Sequence, residues 1–142
     1  MRSDLKVAVI GGGSWATAIV KMLCENMDEV GWYMRSHYII EHIKLNKHNP
    51  NYLSSAYFDP AKLRFSENIN EIITYADYII FAVPSVYLQA ELDKITVPME
   101  NKVVFSAIKG IVPESGLIVG EHFHEKLKIP FENIGVITGP CH

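Results

Sequence analysis

The stretch VAVIGGGSWA, residues 7–16, joins four apolar residues to three glycines and the beginning of a helical pattern. The apolar run predicts a buried strand, and the glycines predict a tight turn from that strand into a helix. The first backbone amides of a helix have no partner within it, and the helix dipole adds partial positive charge there. An anionic ligand is therefore expected at this turn, and a dinucleotide pyrophosphate fits best.

The glycine pattern is Gly11-x-Gly13-x-x-Ala16. Gly11 would permit the tight turn, Gly13 would let the backbone approach a pyrophosphate, and the small Ala16 would allow close helix-strand packing. Such a pattern is common by itself, but here it follows a predicted strand and opens a predicted helix, as a dinucleotide site requires. The alternative is a glycine turn without a ligand. Ser14 and Trp15, at the helix start, would either contact the ligand or serve as a cap and a packing aromatic.

Short apolar runs alternate with helical patterns along the chain. The predicted strands are residues 5–10, 29–33, 63–65, 78–83, 103–107 and 134–137, and the predicted helices are residues 15–26, 38–45, 69–75, 86–94 and 115–127. This alternation predicts an α/β fold of the Rossmann type, a doubly wound parallel sheet in a three-layer α/β/α arrangement. Residues 46–62 form an unusually long predicted loop, and loops of this length are often functional and as often merely mobile.

Composition bounds the class of protein. A length of 142 residues suits one domain, and 49% hydrophobic with 20% charged residues excludes a disordered chain. The net charge of −3 gives no basic surface for nucleic acid or an anionic membrane. Two cysteines make no disulfide framework, and we find neither a secretory signal nor a membrane-length apolar run. Histidine spacing indicates no metal site. A cytoplasmic enzyme or binding module is expected.

Three residues at other predicted strand ends are candidates for ligand binding. Arg35 follows the second strand, where NAD-selective sites usually carry an acidic residue. A guanidinium would instead bind a 2′-phosphate, so we expect NADPH to be accepted, unless Arg35 is a solvated surface residue. Pro84 would form a stiff apolar edge after the fourth strand. Lys109 leaves the fifth strand, where it would bind a substrate phosphate or the nicotinamide ribose, or lie on the surface.

Five blocks, taken together and in this order, resemble NAD(P)-dependent glycerol-3-phosphate dehydrogenases. The blocks are IGGGSWATA at residues 10–18, NPNYL at 49–53, FAVPS at 81–85, SAIKG at 106–110 and TGP at 138–140. The resemblance implies reversible reduction of dihydroxyacetone phosphate to sn-glycerol 3-phosphate, a phospholipid precursor, with NADPH or NADH. It leaves open whether the protein forms a homodimer.

The resemblance also implies roles for individual residues. Cofactor contacts would come from Ser14, Trp15 and Arg35, with Tyr52 as a further candidate, and Lys109 would lie between cofactor and substrate. Gly139 and Cys141 would lie at substrate positions, although the family normally has serine or threonine where Cys141 stands. A thiol is a weaker hydrogen-bond donor than a hydroxyl, which weakens the case for that contact.

The family also has a second, helical domain that carries the general acid or base, and nothing in residues 1–142 corresponds to it. We therefore expect this chain to be the cofactor-binding part of a longer protein, without a catalytic residue of its own. Two alternatives remain open from the sequence. One is a nucleotide-sensing module that binds NAD(P) without chemistry, and the other is a dehydrogenase with a different substrate, such as a hydroxy acid.

Overall fold

Six parallel strands form one sheet in the described part of this computed structural model, which covers residues 5–53, 55–108 and 118–137. The strands are β1 (Val7–Ile10), β2 (Val30–Tyr33), β3 (Leu63–Ser66), β4 (Tyr78–Phe81), β5 (Val103–Ser106) and β6 (Ile134–Val136). Their order across the sheet is β3-β2-β1-β4-β5-β6, with every neighbouring pair parallel. The chain thus runs outward in both directions from β1, and the predicted doubly wound sheet is confirmed.

Helices cover both faces of the sheet. They are α1 (Ser14–Cys24), α2 (His37–Asn46), α3 (Ile69–Tyr75), α4 (Ser85–Leu92) and α5 (Val119–Leu127), with short 3₁₀ turns at Pro60–Lys62 and Phe131–Asn133. Apolar residues of α1 and α2 pack on one face and those of α3, α4 and α5 on the other. In β1, Val7 and Val9 belong to the first layer, while Ala8 and Ile10 belong to the second. Since successive side chains of a strand point to opposite faces, one apolar strand serves both layers.

Several predicted element boundaries differ from the structure. The fourth strand ends at Phe81 rather than at residue 83, because Pro84 sets the entry into α4 and has no amide hydrogen for the sheet. The following helix ends at Leu92, two residues earlier than predicted. Helix α5 begins at Val119, and the earlier residues of the predicted helix, 115–117, lie outside the described part of the chain.

The long predicted loop is anchored to the body of the protein. The buried ring of Phe58 lies 5.5 Å from that of Trp32, and the Phe58 amide donates to the Lys47 carbonyl at 2.7 Å. Lys47 itself ends α2 in the left-handed region, with φ 67°. The segment therefore begins and ends at fixed points beside β2, and it passes the carboxyl end of the sheet between them.

Candidate functional site

The turn after β1 requires glycine at its first position. Gly11 has φ +134°, and a side chain there would overlap the carbonyl oxygen of Ala82. The Gly11 amide donates to the Tyr33 carbonyl at 2.9 Å, and its own carbonyl accepts from the Trp32 indole at 2.6 Å. The turn is therefore held by neighbouring β2 and pressed against the segment that follows β4.

The start of α1 is open to a ligand. Gly13 is the residue that precedes the first helical turn, and a Cβ atom there would meet nothing within 4 Å. No side chain in the described residues caps this helix, and its first turn carries no acidic residue. The positive end of the helix dipole therefore faces a space that a side chain does not fill, which is an arrangement suited to an anion.

A pocket of about 290 Å³ lies at the carboxyl ends of β1, β2 and β4. Its position is the point where the strand order reverses, and ligands of doubly wound sheets bind there. Small-molecule sites commonly measure roughly 300–1,000 Å³, so this cleft suits part of a dinucleotide. Its lining comprises Gly11, Gly12, Gly13, Tyr33, Met34, Arg35, Ser36, Ile39, Tyr52, Ala82, Val83, Pro84, Tyr87 and Glu91.

The structure brings five of the sequence-predicted residues to this pocket, namely Gly11, Gly13, Arg35, Tyr52 and Pro84. Ser14 and Trp15 do not line it. Ser14 is exposed, and Trp15 packs against the apolar layer under α1, which agrees with the packing role weighed for Trp15. The predicted positions Lys109, Gly139 and Cys141 lie outside the described residues.

Arg35 has a protein partner in the pocket. Its Nε lies 3.5 Å from Oε2 of Glu91, and 65% of its side chain is exposed. The guanidinium also lies 6.0 Å from the ring centre of Tyr87. Arg35 is thus a largely solvated cation that is tethered at one side to a carboxylate, and this carboxylate partner was anticipated by neither of the two readings from sequence.

Glu91 was missed by sequence reasoning. Its side chain is 4% exposed, and its Oε1 accepts from the Tyr33 hydroxyl at 2.6 Å and from Lys94 Nζ at 3.2 Å. Burial, with this hydrogen bond as a further cause, raises the pKa of Tyr33 above its usual value, so the phenol remains a donor at neutral pH. Glu91 is buried together with Leu88 and Leu92, but apolar residues are spread around α4, so the sequence pattern gave little indication that this carboxylate lies inside.

Asn49 is a second missed residue. It is fully buried, and its Nδ2 donates to Thr17 Oγ1 at 3.1 Å and to the Gly12 carbonyl at 3.4 Å. Its Oδ1 accepts from the amides of Asn51 and Tyr52 at 2.9 and 3.2 Å. One side chain thus joins the glycine turn to the segment that carries Tyr52. The signal available was an asparagine before proline in a long loop, which by itself indicates only a turn.

We expect Asn49→Ala to lower the free energy of unfolding by about 2 kcal/mol, because it leaves several buried polar groups without partners. Chemical denaturation would measure this loss. The matched control is Asn26→Ala at an exposed position after α1, for which a change within about 0.5 kcal/mol is expected. Equal effects of the two substitutions would show that the Asn49 bonds do not stabilise the fold.

Comparison with known proteins assigns the chain to a family. A family model for the N-terminus of NAD-dependent glycerol-3-phosphate dehydrogenase matches residues 6–142. The chain belongs to this family. The resemblance seen in the five sequence blocks is therefore confirmed.

Individual members of the glycerol-3-phosphate dehydrogenases agree with this assignment. The glycerol-3-phosphate dehydrogenase [NAD(P)+] of Macrococcus caseolyticus is 32% identical over 140 residues, which is 97% of this chain and 42% of that protein. The solved glycerol-3-phosphate dehydrogenase of Plasmodium falciparum has a TM-score of 0.75 at 25% identity, over 89% of this chain and 39% of the other. A Dunaliella salina structure, with a TM-score of 0.79 at 20% identity over 94% of this chain and 28% of the other, shares the fold.

The chain spans 40–42% of the length of these curated relatives, and the family model that it matches describes their N-terminal part. None of the helices formed by the described residues is long and apolar enough to cross a membrane. Within the same residues, no three His, Cys, Asp or Glu side chains are grouped to hold a metal ion.

Proposed function

We propose that this chain binds NAD(H) or NADP(H) and forms the coenzyme-binding part of an enzyme that interconverts dihydroxyacetone phosphate and sn-glycerol 3-phosphate. The observation that carries the proposal is the uncapped start of α1 at Gly13, which lies at the reversal point of the sheet and opens onto the pocket. Family membership supports this substrate over a hydroxy acid.

The residues present fit such a coenzyme. The backbone at Gly11 and Gly13 would hold the pyrophosphate, because no side chain intervenes and no acidic residue lies in the first helical turn. Arg35 and Tyr52 would contact the adenosine part, and Pro84 would provide a rigid apolar wall. The bound coenzyme would supply a hydride donor or acceptor.

The family resemblance adds proposals for residues that do not line the pocket or lie outside the described part of the chain. Ser14 and Trp15 would contact the coenzyme near the helix start. Lys109 would attract the phosphate of the substrate, and Gly139 and Cys141 would complete that side of the site. Proton transfer to the developing alkoxide requires a general acid, and we assign it to the helical domain of the longer relatives.

We expect the purified 142-residue chain to bind NADH and NADPH weakly and to show negligible oxidation of NADPH with dihydroxyacetone phosphate, because we assign the general acid and the closure of the site to the further domain. Calorimetric titration and an absorbance assay would measure the two properties. Absence of binding would overturn the proposal of a coenzyme site. Robust turnover would instead overturn the assignment of the general acid to the helical domain.

A chimera would distinguish the hypothesis of an enzyme from that of a sensing module. It joins residues 1–142 to the part of the Macrococcus caseolyticus relative that lies beyond its matched region. We expect the folded chimera to oxidise NADPH or NADH when dihydroxyacetone phosphate is added. A folded chimera that binds coenzyme without turnover would favour the sensing module.

Arg35→Ala is expected to weaken NADPH binding about tenfold, or roughly 1.4 kcal/mol, because it removes a charge-assisted contact to a 2′-phosphate. NADH carries no such phosphate, so its affinity should change little. The matched control is Arg64→Ala, an arginine on β3 that contacts the ring of Tyr75 outside this pocket. Calorimetric titration of both coenzymes measures the effect, and equal losses for the two would remove Arg35 from coenzyme selection.

A further inference from the structure

Glu91 places a buried carboxylate in the wall of the proposed coenzyme pocket. It is 3% exposed and lines the same cavity as Arg35 and the three glycines. Helix α4 positions it on the face that carries buried Leu88 and Leu92, so its carboxylate cannot turn away into bulk solvent without unpacking the helix. Glu91 is therefore a permanent feature of the pocket rather than a mobile surface charge.

The carboxylate of Glu91 lies between two cations. The Tyr33 hydroxyl donates to Oε1, and Lys94 Nζ lies 3.2 and 3.4 Å from the two carboxylate oxygens. Arg35 Nε lies 3.5 Å from Oε2. The two cations are partly exposed, at 65% for the Arg35 side chain and 46% for that of Lys94. Glu91 is thus the buried centre of a cluster whose positive groups reach solvent.

This cluster changes the net charge that the 2′-phosphate of a coenzyme would meet at the carboxyl end of β2. The chain has Met34 and Arg35 there, and an acidic residue usually discriminates against a 2′-phosphate at this place in NAD-selective sites. Glu91 brings a carboxylate to the same cavity from a different element, α4. Arg35 and Lys94 together carry two positive charges, and Glu91 reduces their sum to one. Because a buried charge is screened less than an exposed one, this reduction weakens attraction for an incoming phosphate.

We propose that Glu91 is a specificity-determining residue of the coenzyme site, whose carboxylate opposes the attraction of Arg35 for a 2′-phosphate and shifts selection from NADPH toward NADH. The proposal rests on the proposed function, because it requires a nicotinamide dinucleotide in this pocket. Arg35 favours NADPH over NADH, and Glu91 has the opposite effect on the same ratio of affinities. The site accepts both coenzymes as a result of that balance.

The test is the ratio of NADPH affinity to NADH affinity, measured by calorimetric titration of the 142-residue chain. Glu91→Gln keeps the shape of the side chain and an oxygen that accepts from Tyr33 and Arg35, but it removes the charge. It is expected to raise the ratio about tenfold. Lys94→Gln removes a cation from the same cluster and is expected to lower the ratio, roughly threefold, because this side chain is half exposed. The matched control is Glu132→Gln, an exposed carboxylate in the 3₁₀ turn before β6.

Opposite shifts for Glu91→Gln and Lys94→Gln, with no shift for Glu132→Gln, would support the proposal. A merely structural cluster would instead weaken both coenzymes together and leave the ratio unchanged, which would overturn it. If Glu91→Gln does not fold, Glu91→Met, which has a similar size and also removes the charge, is the second variant, and the same rise in the ratio is expected. Failure of the unaltered chain to bind either coenzyme would overturn the proposed function and this proposal with it, whereas retained binding with an unchanged ratio overturns this proposal alone.

Discussion

Gly11→Ala is expected to lower the free energy of unfolding by about 3 kcal/mol or more. Two causes add. The residue has φ +134°, which side-chain-bearing residues rarely adopt, and the new methyl group would overlap the carbonyl oxygen of Ala82. That oxygen belongs to the backbone after β4, so relief requires the two central strands to shift. Chemical denaturation followed by circular dichroism would measure the loss.

Gly13→Ala is the matched control for this substitution. Gly13 has φ −84°, which alanine adopts readily, and its added methyl group would meet nothing within 4 Å. The expected change in stability is within about 0.5 kcal/mol. Similar losses at the two glycines would contradict the backbone geometry on which the turn depends.

Gly13→Asp is expected to weaken binding of NADH and NADPH about a hundredfold, or roughly 2.7 kcal/mol, while it stabilises the protein slightly. Aspartate is a good residue for the position before a helix, and a negative charge there interacts favourably with the dipole. We expect a gain of about 0.5–1 kcal/mol in the free energy of unfolding. The same charge would repel a pyrophosphate at the start of α1. Denaturation and calorimetric titration would measure the two opposite effects.

Gly13→Asn separates charge from bulk. Asparagine also caps helices and has nearly the same shape, but it is neutral. Its loss of coenzyme affinity should be clearly smaller than that of Gly13→Asp. Equal losses would mean that size rather than charge excludes the ligand, and unchanged affinity in both variants would mean that the pyrophosphate binds elsewhere.

The fold was predictable because its signals are local. Buried parallel strands read as short apolar runs, and the glycines mark the turn that follows β1. Sequence reasoning also identified residues at three strand ends, which a parallel sheet brings to one edge whatever the details of packing. Gly11, Arg35 and Pro84 therefore reached the same pocket.

The contacts that adjust the site were not predictable, because they join residues far apart in the chain. Tyr33 and Glu91 are separated by 58 positions, and their hydrogen bond depends on the register of α4 against β2. Asn49 and Gly12 are 37 positions apart. Periodicity shows that a helical face is apolar, but it does not show which distant partner a polar residue on that face will meet.

Asn49 has a consequence for the motions of the protein. Its amide group bonds simultaneously to Gly12 and Thr17 on one side and to the amides of Asn51 and Tyr52 on the other. The segment at 49–52 cannot move away without breaking hydrogen bonds to the glycine turn and to α1, so we expect the two regions to open as one cooperative unit. By thermodynamic reciprocity, a ligand that rigidifies the turn also holds this segment closed, in addition to any contact that the ligand makes with Tyr52 itself.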